Sequence, residues 1–209
     1  MVLPRVFVLG DSISLQYGPH LETALAGRWQ YQRKGGADVA RRDLDRAQGA
    51  NGGDSSRVLA YLRDNLDAIA ADLLLVNCGL HDIKIDRGSG ARQVDPEDYR
   101  RNLQEIVSLC VTGGQALTWI RTTPCDERIH NPRAGFDRFA ADVERYNAIA
   151  DAVMREHGIH SCDLCACTRT CGGDEIFCDH VHFTEAVRAR QAAFLAGWLD
   201  AWWNCRLRA

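Results

Sequence analysis

The stretch that decides the fold is Arg5-Val-Phe-Val-Leu-Gly-Asp-Ser12, near the start of the sequence. Its first part is rich in β-branched and aromatic residues, as expected of a strand that is buried on both faces. A second run of this kind is Leu73-Leu-Leu-Val-Asn77, and longer amphipathic segments lie between such runs. This alternation predicts a parallel sheet with helices on both of its faces.

The full pattern predicts five strands and five principal helices within a single domain that spans residues 1–209. The predicted strands are residues 5–9, 29–33, 73–77, 116–121 and 159–164. The second of them is the most polar, so we expect it at an edge of the sheet. Four of the predicted helices are residues 19–26, 96–110, 136–157 and 184–204, and Asp95 is expected to cap the second of these. A further helix is expected to be capped by Ser55 or Ser56 and to carry Val58, Leu59, Leu62 and Leu66 on one face.

Composition excludes some functions. Lys and Arg total 25 against 28 Asp and Glu, a net charge of -3 that is atypical of nucleic-acid binding. No apolar run approaches the roughly 20 residues that a membrane-spanning helix needs, so we expect no membrane insertion. The first residues lack the pattern of a secretory signal, which predicts a cytoplasmic protein, although a signal removed beforehand would leave the same sequence.

Two polar segments suggest nucleophilic catalysis. Ser12 directly follows a buried strand, so its hydroxyl and its backbone N–H lie at the rim of the sheet; taken alone, Asp11 and Ser12 are more typical of a helix cap. Asp179 and His182 are one turn apart, and a carboxylate bound to one imidazole nitrogen lets the other accept a serine proton. Taken alone, an Asp and a His at this spacing are more often polar residues of a solvated loop. His180 is expected to project elsewhere.

Two further segments could stabilise the negative charge that forms on a carbonyl oxygen during ester hydrolysis. Gly53 offers an unhindered backbone N–H, and His81 offers an imidazole N–H. Each also has a simpler interpretation, Gly53 as a turn glycine before a helix and His81 as a polar residue at a strand end.

Together these segments resemble, in order and approximate spacing, the four blocks of the SGNH or GDSL-type serine hydrolase family. The matching blocks are Gly10-Asp-Ser-Ile-Ser14, Asn51-Gly-Gly-Asp-Ser-Ser56, Gly79-Leu-His-Asp82 and Asp179-His-Val-His-Phe-Thr184. The similarity spans nearly the whole chain, and four ordered blocks are far more specific than any one of them.

The resemblance implies a flavodoxin-like three-layer α/β/α sandwich with strand order 2-1-3-4-5, and hydrolysis of carboxylic esters or thioesters without a metal or other cofactor. It implies Ser12 as nucleophile and first oxyanion donor, Gly53 as second donor, His182 as base and Asp179 as its orienting partner. The chain departs from the family at His81, where an Asn usually supplies the third donor. We predict that His81 takes this place; the alternative is that it points away and leaves two donors.

The expected partner is a small-molecule ester, and we favour an O-acetyl or similar small O-acyl ester on a carbohydrate or other polar molecule. The chain has no long apolar insertion that could form an acyl-chain groove. The loops at 84–94 and 126–135, which we expect to border the site, are rich in Arg, Asp and His and favour a polar substrate. A lysophospholipase or acyl thioesterase is the alternative. A different class of function, a degenerate hydrolase fold acting as a metal- or thiol-dependent interaction module, is suggested by His81 and the cysteines.

The chain has nine cysteines, an odd number, so at least one is outside any intramolecular disulfide. Five of them cluster in the sequence: Cys162, Cys165, Cys167, Cys171 and Cys178. Their spacing matches no standard zinc site. Structural thiols, disulfides and metal ligands all remain open from the sequence.

Overall fold

A computed structural model of the protein describes residues 2–206, and at its centre is a five-stranded parallel sheet. The strands are β1 (Arg5–Leu9), β2 (Gln30–Arg33), β3 (Leu73–Val76), β4 (Leu117–Ile120) and β5 (His160–Cys162). Their spatial order is β2-β1-β3-β4-β5. The predicted strand order is confirmed.

Helices cover the sheet and complete a three-layer α/β/α sandwich. They are α1 (Ser12–Leu25), α2 (Ala37–Ala40), α3 (Ser55–Asn65), α4 (Pro96–Thr112), α5 (Glu127–His130), α6 (Ala140–Glu156), α7 (Leu164–Arg169) and α8 (Glu185–Arg206). Helix α1 packs against α8, whereas α3 packs against α4 and α4 against α6. The predicted fold class is confirmed.

Burial explains the position of each strand. Every residue of β3 and β4 is buried, and so are all residues of β1 except the first. Strand β2 alternates between exposed and half-buried residues, and it lies at the edge where its polarity placed it. Because β1 and β3 are parallel neighbours, their carboxyl ends bring the segments after Leu9 and Val76 to one rim of the sheet.

Two predicted helix starts are wrong, each because an aspartate provides the cap. Helix α1 begins already at Ser12, since Asp11 Oδ1 accepts the N–H of Ile13 at 3.0 Å. The cap of α3 is Asp54, whose Oδ1 accepts the N–H of Arg57 at 3.1 Å, and neither neighbouring serine has that role. Both carboxylates satisfy amides that a first helical turn leaves free.

Two further boundaries also differ from the prediction. Helix α6 begins at Ala140, because Asp137 forms an antiparallel bridge with Ile85 and Phe139 has an extended backbone. The fifth strand ends at Cys162, because Asp163 caps α7 by accepting the N–H of Ala166 at 2.9 Å. At Asp95 the helix begins as predicted, but its side chain forms no capping hydrogen bond.

Within residues 2–206, no helix combines the length and the hydrophobicity that crossing a membrane requires.

Candidate active site

Ser12, His182 and Asp179 form one hydrogen-bonded chain at the rim of the sheet. Nε2 of His182 lies 2.8 Å from Ser12 Oγ, and Nδ1 of the same ring lies 2.7 Å from Asp179 Oδ2. Ser12 and His182 are both buried. This arrangement can remove a proton from the Ser12 hydroxyl and hold the resulting imidazolium next to a carboxylate.

The Asp179 carboxylate is held from the other side by its own turn. Its Oδ1 accepts the backbone N–H groups of Val181 at 2.8 Å and His182 at 2.7 Å. Burial raises the pKa of Asp179, but the hydrogen bond from the His182 ring and those from the two amides outweigh burial and hold the pKa below its usual range. The group is therefore a carboxylate at neutral pH.

The turn that carries Asp179 and His182 is closed by local pairing. Phe177 and Phe183 form an antiparallel bridge, and the N–H of Cys178 donates to the carbonyl of His182 at 2.9 Å. Helix α8 follows directly after this turn. These contacts fix the short loop from which His182 reaches Ser12 and Asp179 reaches His182.

Ser12 is the first residue of α1, so its backbone N–H has no partner within the helix. The positive end of the helix dipole also lies here, and it favours negative charge beside the hydroxyl. Asp11, which caps the helix, is buried, and burial raises its pKa.

Gly53 lies in the turn before α3 with φ +74°, a conformation that side chains rarely adopt. Its N–H donates to Oδ1 of Asn51 at 3.0 Å. The backbone N–H that was predicted as an oxyanion donor is therefore already hydrogen-bonded to the Asn51 side chain.

His81 is buried, only 2% exposed, in the turn after β3. Burial, followed by the charges of Lys84 and Arg138, lowers its pKa well below the usual range. The ring is therefore neutral and carries a single N–H. Gly79, two residues earlier, makes this turn possible, because a Cβ there would lie 2.1 Å from Thr122 Oγ1.

Asp82 ties the third block to the second. Its Oδ1 accepts the backbone N–H of Ser55 at 2.8 Å, at the start of α3. Burial raises the pKa of this carboxyl to about 8. A largely protonated Asp82 thus holds the turn of His81 against the block that contains Gly53.

A second hydrogen-bonded chain, which was not predicted from the sequence, runs through His180. The Nε2 atom of His180 lies 3.0 Å from Asp45 Oδ2, and its Nδ1 atom lies 2.8 Å from Nδ1 of His130. Both ring nitrogens of His180 are thus bonded to residues other than Ser12. The only sequence signal was that His130 falls in the loop 126–135, which was predicted to border the site; Asp45 had none.

Two cations lie beside these chains, Arg138, which is buried, and Lys84, which is half-buried. The Nε of Arg138 donates to the Leu80 carbonyl at 2.7 Å, and its guanidinium lies 4.9 Å from the centre of the Phe136 ring. Lys84 Nζ lies 4.5 Å from the same ring centre and donates to the Asp45 carbonyl at 2.7 Å. Burial and the Arg138 charge lower the pKa of Lys84 to about 8. The surroundings of His81 are thus polar and positively charged.

Within residues 2–206, one cluster of three potential metal ligands occurs, formed by Asp179, His180 and His182. Their potential ligand atoms lie within 4.8 Å of one another. The ring nitrogens of both histidines already form the hydrogen bonds described above. These donors therefore fit a proton-transfer site better than a metal site.

All nine cysteines lie in the described part of the chain as free thiols. Burial raises the pKa of Cys162 to about 12 and that of Cys165 to about 11. Thiols with such pKa values carry almost no thiolate at neutral pH and are poor nucleophiles and ligands. These values favour a structural role for Cys162 and Cys165. Cys178, in contrast, is exposed beside Asp179.

Several solved structures of other proteins are similar to this chain over nearly its whole length. The chain is similar to a lipase/acylhydrolase from Enterococcus faecalis, with 16% identity, a TM-score of 0.72, and coverage of 95% of this chain and 96% of that one. It is also similar to the acetyl xylan esterase AlAXEase, with 14% identity, a TM-score of 0.69, and coverage of 93% and 98%.

A third similar structure is Est24, a carbohydrate acetylesterase from Sinorhizobium meliloti, with 13% identity, a TM-score of 0.64, and coverage of 95% of this chain and 99% of that chain. No curated protein matches the sequence. A family model, however, matches residues 8–190, from within β1 to within α8 and across all four sequence blocks. The chain belongs to the GDSL-like lipase/acylhydrolase family.

Proposed function

We propose that the protein is a serine esterase that removes small O-acyl groups, of the acetyl type, from a carbohydrate or another polar alcohol. The observation that carries the proposal is the continuous chain from Ser12 Oγ through His182 to Asp179, with contacts of 2.8 and 2.7 Å. Such a chain activates a hydroxyl that is otherwise a weak nucleophile.

In the proposed reaction, Ser12 Oγ attacks the ester carbonyl carbon while His182 Nε2 takes the hydroxyl proton. The tetrahedral intermediate then expels the alcohol, which receives that proton from His182, and leaves an acyl group on Ser12. Water, activated by the same ring, hydrolyses this acyl-enzyme. Asp179 stays ionised throughout and stabilises the imidazolium.

The oxyanion is proposed to bind the backbone N–H of Ser12 and the single N–H of His81. The Gly53 N–H joins them when its hydrogen bond to Asn51 is shared with the substrate oxygen. Donors of this kind bind most strongly as charge develops, so they lower the barrier more than they strengthen substrate binding.

A polar leaving group is supported by the cavity beside the third block. Its volume is about 420 Å³, and its lining residues are Lys84, Asp86, Ala91, Arg92, Gln93 and Phe136. Lys84 follows His81 in the same turn, and Gln93 donates to Asp54, next to Gly53, at 2.6 Å. Charged and amide groups beside one aromatic ring can form hydrogen bonds and stacking contacts with a hydroxylated molecule. Two structurally similar proteins are named as acetyl esterases of carbohydrates, which agrees with this choice.

The test is turnover of p-nitrophenyl esters from acetyl to palmitoyl, followed by acetylated sugars, with Ser12→Ala as the control for background hydrolysis. We expect the highest kcat/KM for acetyl and a steep fall beyond butyryl. A preference for long chains would indicate a lysophospholipase or thioesterase instead. No turnover of any ester would refute the esterase assignment and favour the interaction-module alternative.

A further inference from the structure

Besides the bond between His182 and Ser12, the side chain of His180 links the turn that carries the proposed base to the rest of the site. This ring lies between Asp179 and His182 in the sequence, and its side chain is only 13% exposed. Its centre is 5.8 Å from that of the His182 ring, with the two planes at 72°. Any shift of His180 is therefore transmitted directly to the residues on either side of it.

The hydrogen bonds of His180 assign its proton positions. Nε2 donates to the Asp45 carboxylate. Burial alone would raise the pKa of Asp45, but the hydrogen bond and the charge of His180 lower this pKa to about 2. His130 is neutral, because burial and nearby positive charge lower its pKa to about 3. The Nδ1–H of His130 can donate to Nδ1 of His180. The Nε2 atom of His130 then carries no hydrogen, and it is a buried atom without a hydrogen-bond partner among the described residues.

Asp45 connects this turn to both proposed oxyanion blocks. Its carbonyl accepts Lys84 Nζ at 2.7 Å, and the N–H of Lys84 donates to the His81 carbonyl at 3.3 Å. Asn51 Nδ2 donates at 3.0 Å to the carbonyl of Leu44, the residue before Asp45. The Oδ1 of the same asparagine accepts the Gly53 N–H. One short turn around Asp45 therefore contacts the segments of the base, of Gly53 and of His81.

We infer that Asp45 and His180 are positioning residues, whose hydrogen bond holds the turn of Asp179 and His182 in register with Ser12 and the oxyanion donors. This inference rests on the proposed esterase function. Catalytic geometry is sensitive to small displacements: a shift of about 1 Å caused by a distant substitution can cost on the order of a hundredfold in rate.

The experiment measures kcat and KM for p-nitrophenyl acetate in Asp45→Ala, His180→Ala, the double variant and Asp45→Asn. The concentration of active enzyme in each sample is determined by titration with a fluorophosphonate. All measurements are made below the melting temperature of every variant. Both alanine variants should lose about tenfold to a hundredfold in kcat with KM changed less than about twofold. The double variant should lose no more than the worse single one, because both substitutions remove the same interaction.

Asp45→Asn separates positioning from a merely structural or charge effect. The amide oxygen of the introduced asparagine can take the place of Asp45 Oδ2 and accept the His180 N–H, so kcat should stay within about threefold of wild type. Asp38→Ala is the matched control, because it removes an exposed carboxylate from the same connection between β2 and α3 and should leave kcat unchanged.

Unchanged kcat in Asp45→Ala and His180→Ala would overturn the inference, and so would equal losses in Asp45→Asn and Asp45→Ala. A wild-type protein without turnover or labelling would refute the esterase function itself, so the two failures are distinguishable.

Discussion

The Asp179→Asn substitution tests the proposed triad most directly, because it exchanges one oxygen for an NH₂ group and changes almost no volume. The introduced asparagine would keep Oδ1 as acceptor for the two backbone N–H groups of its turn. Its NH₂ would then face His182 Nδ1 in place of the carboxylate oxygen 2.7 Å away. A donor at that position favours the tautomer with hydrogen on Nε2, which cannot accept the proton of Ser12.

The magnitude follows from this tautomer change. In a serine triad the wrong tautomer costs on the order of 10⁴ in kcat, about 5 kcal/mol at the transition state. The Asp179 side chain is 41% exposed, so water can enter and partly restore the productive tautomer. We therefore expect a loss of about 10³ to 10⁴ in kcat, with little change in KM, because the uncharged ground state does not use the base.

Steady-state hydrolysis of p-nitrophenyl acetate measures this loss, and circular dichroism and melting temperature check that the variant is folded. Asp174→Asn is the matched control, an isosteric change at an exposed residue of the same segment. Retention of more than about a tenth of the wild-type kcat in Asp179→Asn, far above the expected range, would refute the assignment of Asp179.

Three further predictions address the serine, the third oxyanion donor and the buried carboxyl. Ser12→Ala should abolish turnover and fluorophosphonate labelling without loss of fold; a variant that is still labelled would place the nucleophile elsewhere. His81→Ala should lower kcat about a hundredfold with KM little changed, and His81→Asn should recover part of the loss, since both side chains can offer an N–H to the oxyanion; near-normal kcat in both would remove His81 from the hole. Asp82→Asn should flatten the pH dependence of stability, because burial raises the folded pKa from 3.8 to about 8. The folded state then keeps a proton that the unfolded state has released, so the wild-type free energy of unfolding falls as pH rises through this window; denaturant titrations with identical pH slopes for the two proteins would contradict it.

The sheet was predictable because its signals are local. Buried strands such as β1 and β3 are continuous apolar runs, and the polarity of β2 indicated its position at the edge. Helix boundaries were less predictable, since several polar residues near each start can cap. Asp54 has this role rather than the serines that follow it, and the choice depends on the backbone geometry of the turn before α3.

For the candidate site, the sequence by itself identified the four blocks, because their order along the chain and their positions after strands can be read without coordinates. Only the tertiary structure brought His182 to within 2.8 Å of Ser12, across 170 positions of sequence. It alone showed that Gly53 donates to Asn51 and that His180 meets Asp45, 135 positions away, and His130. Contacts of this kind join loops, whose paths depend on how the finished sheet brings their ends together, and loops have no periodicity that a sequence could display.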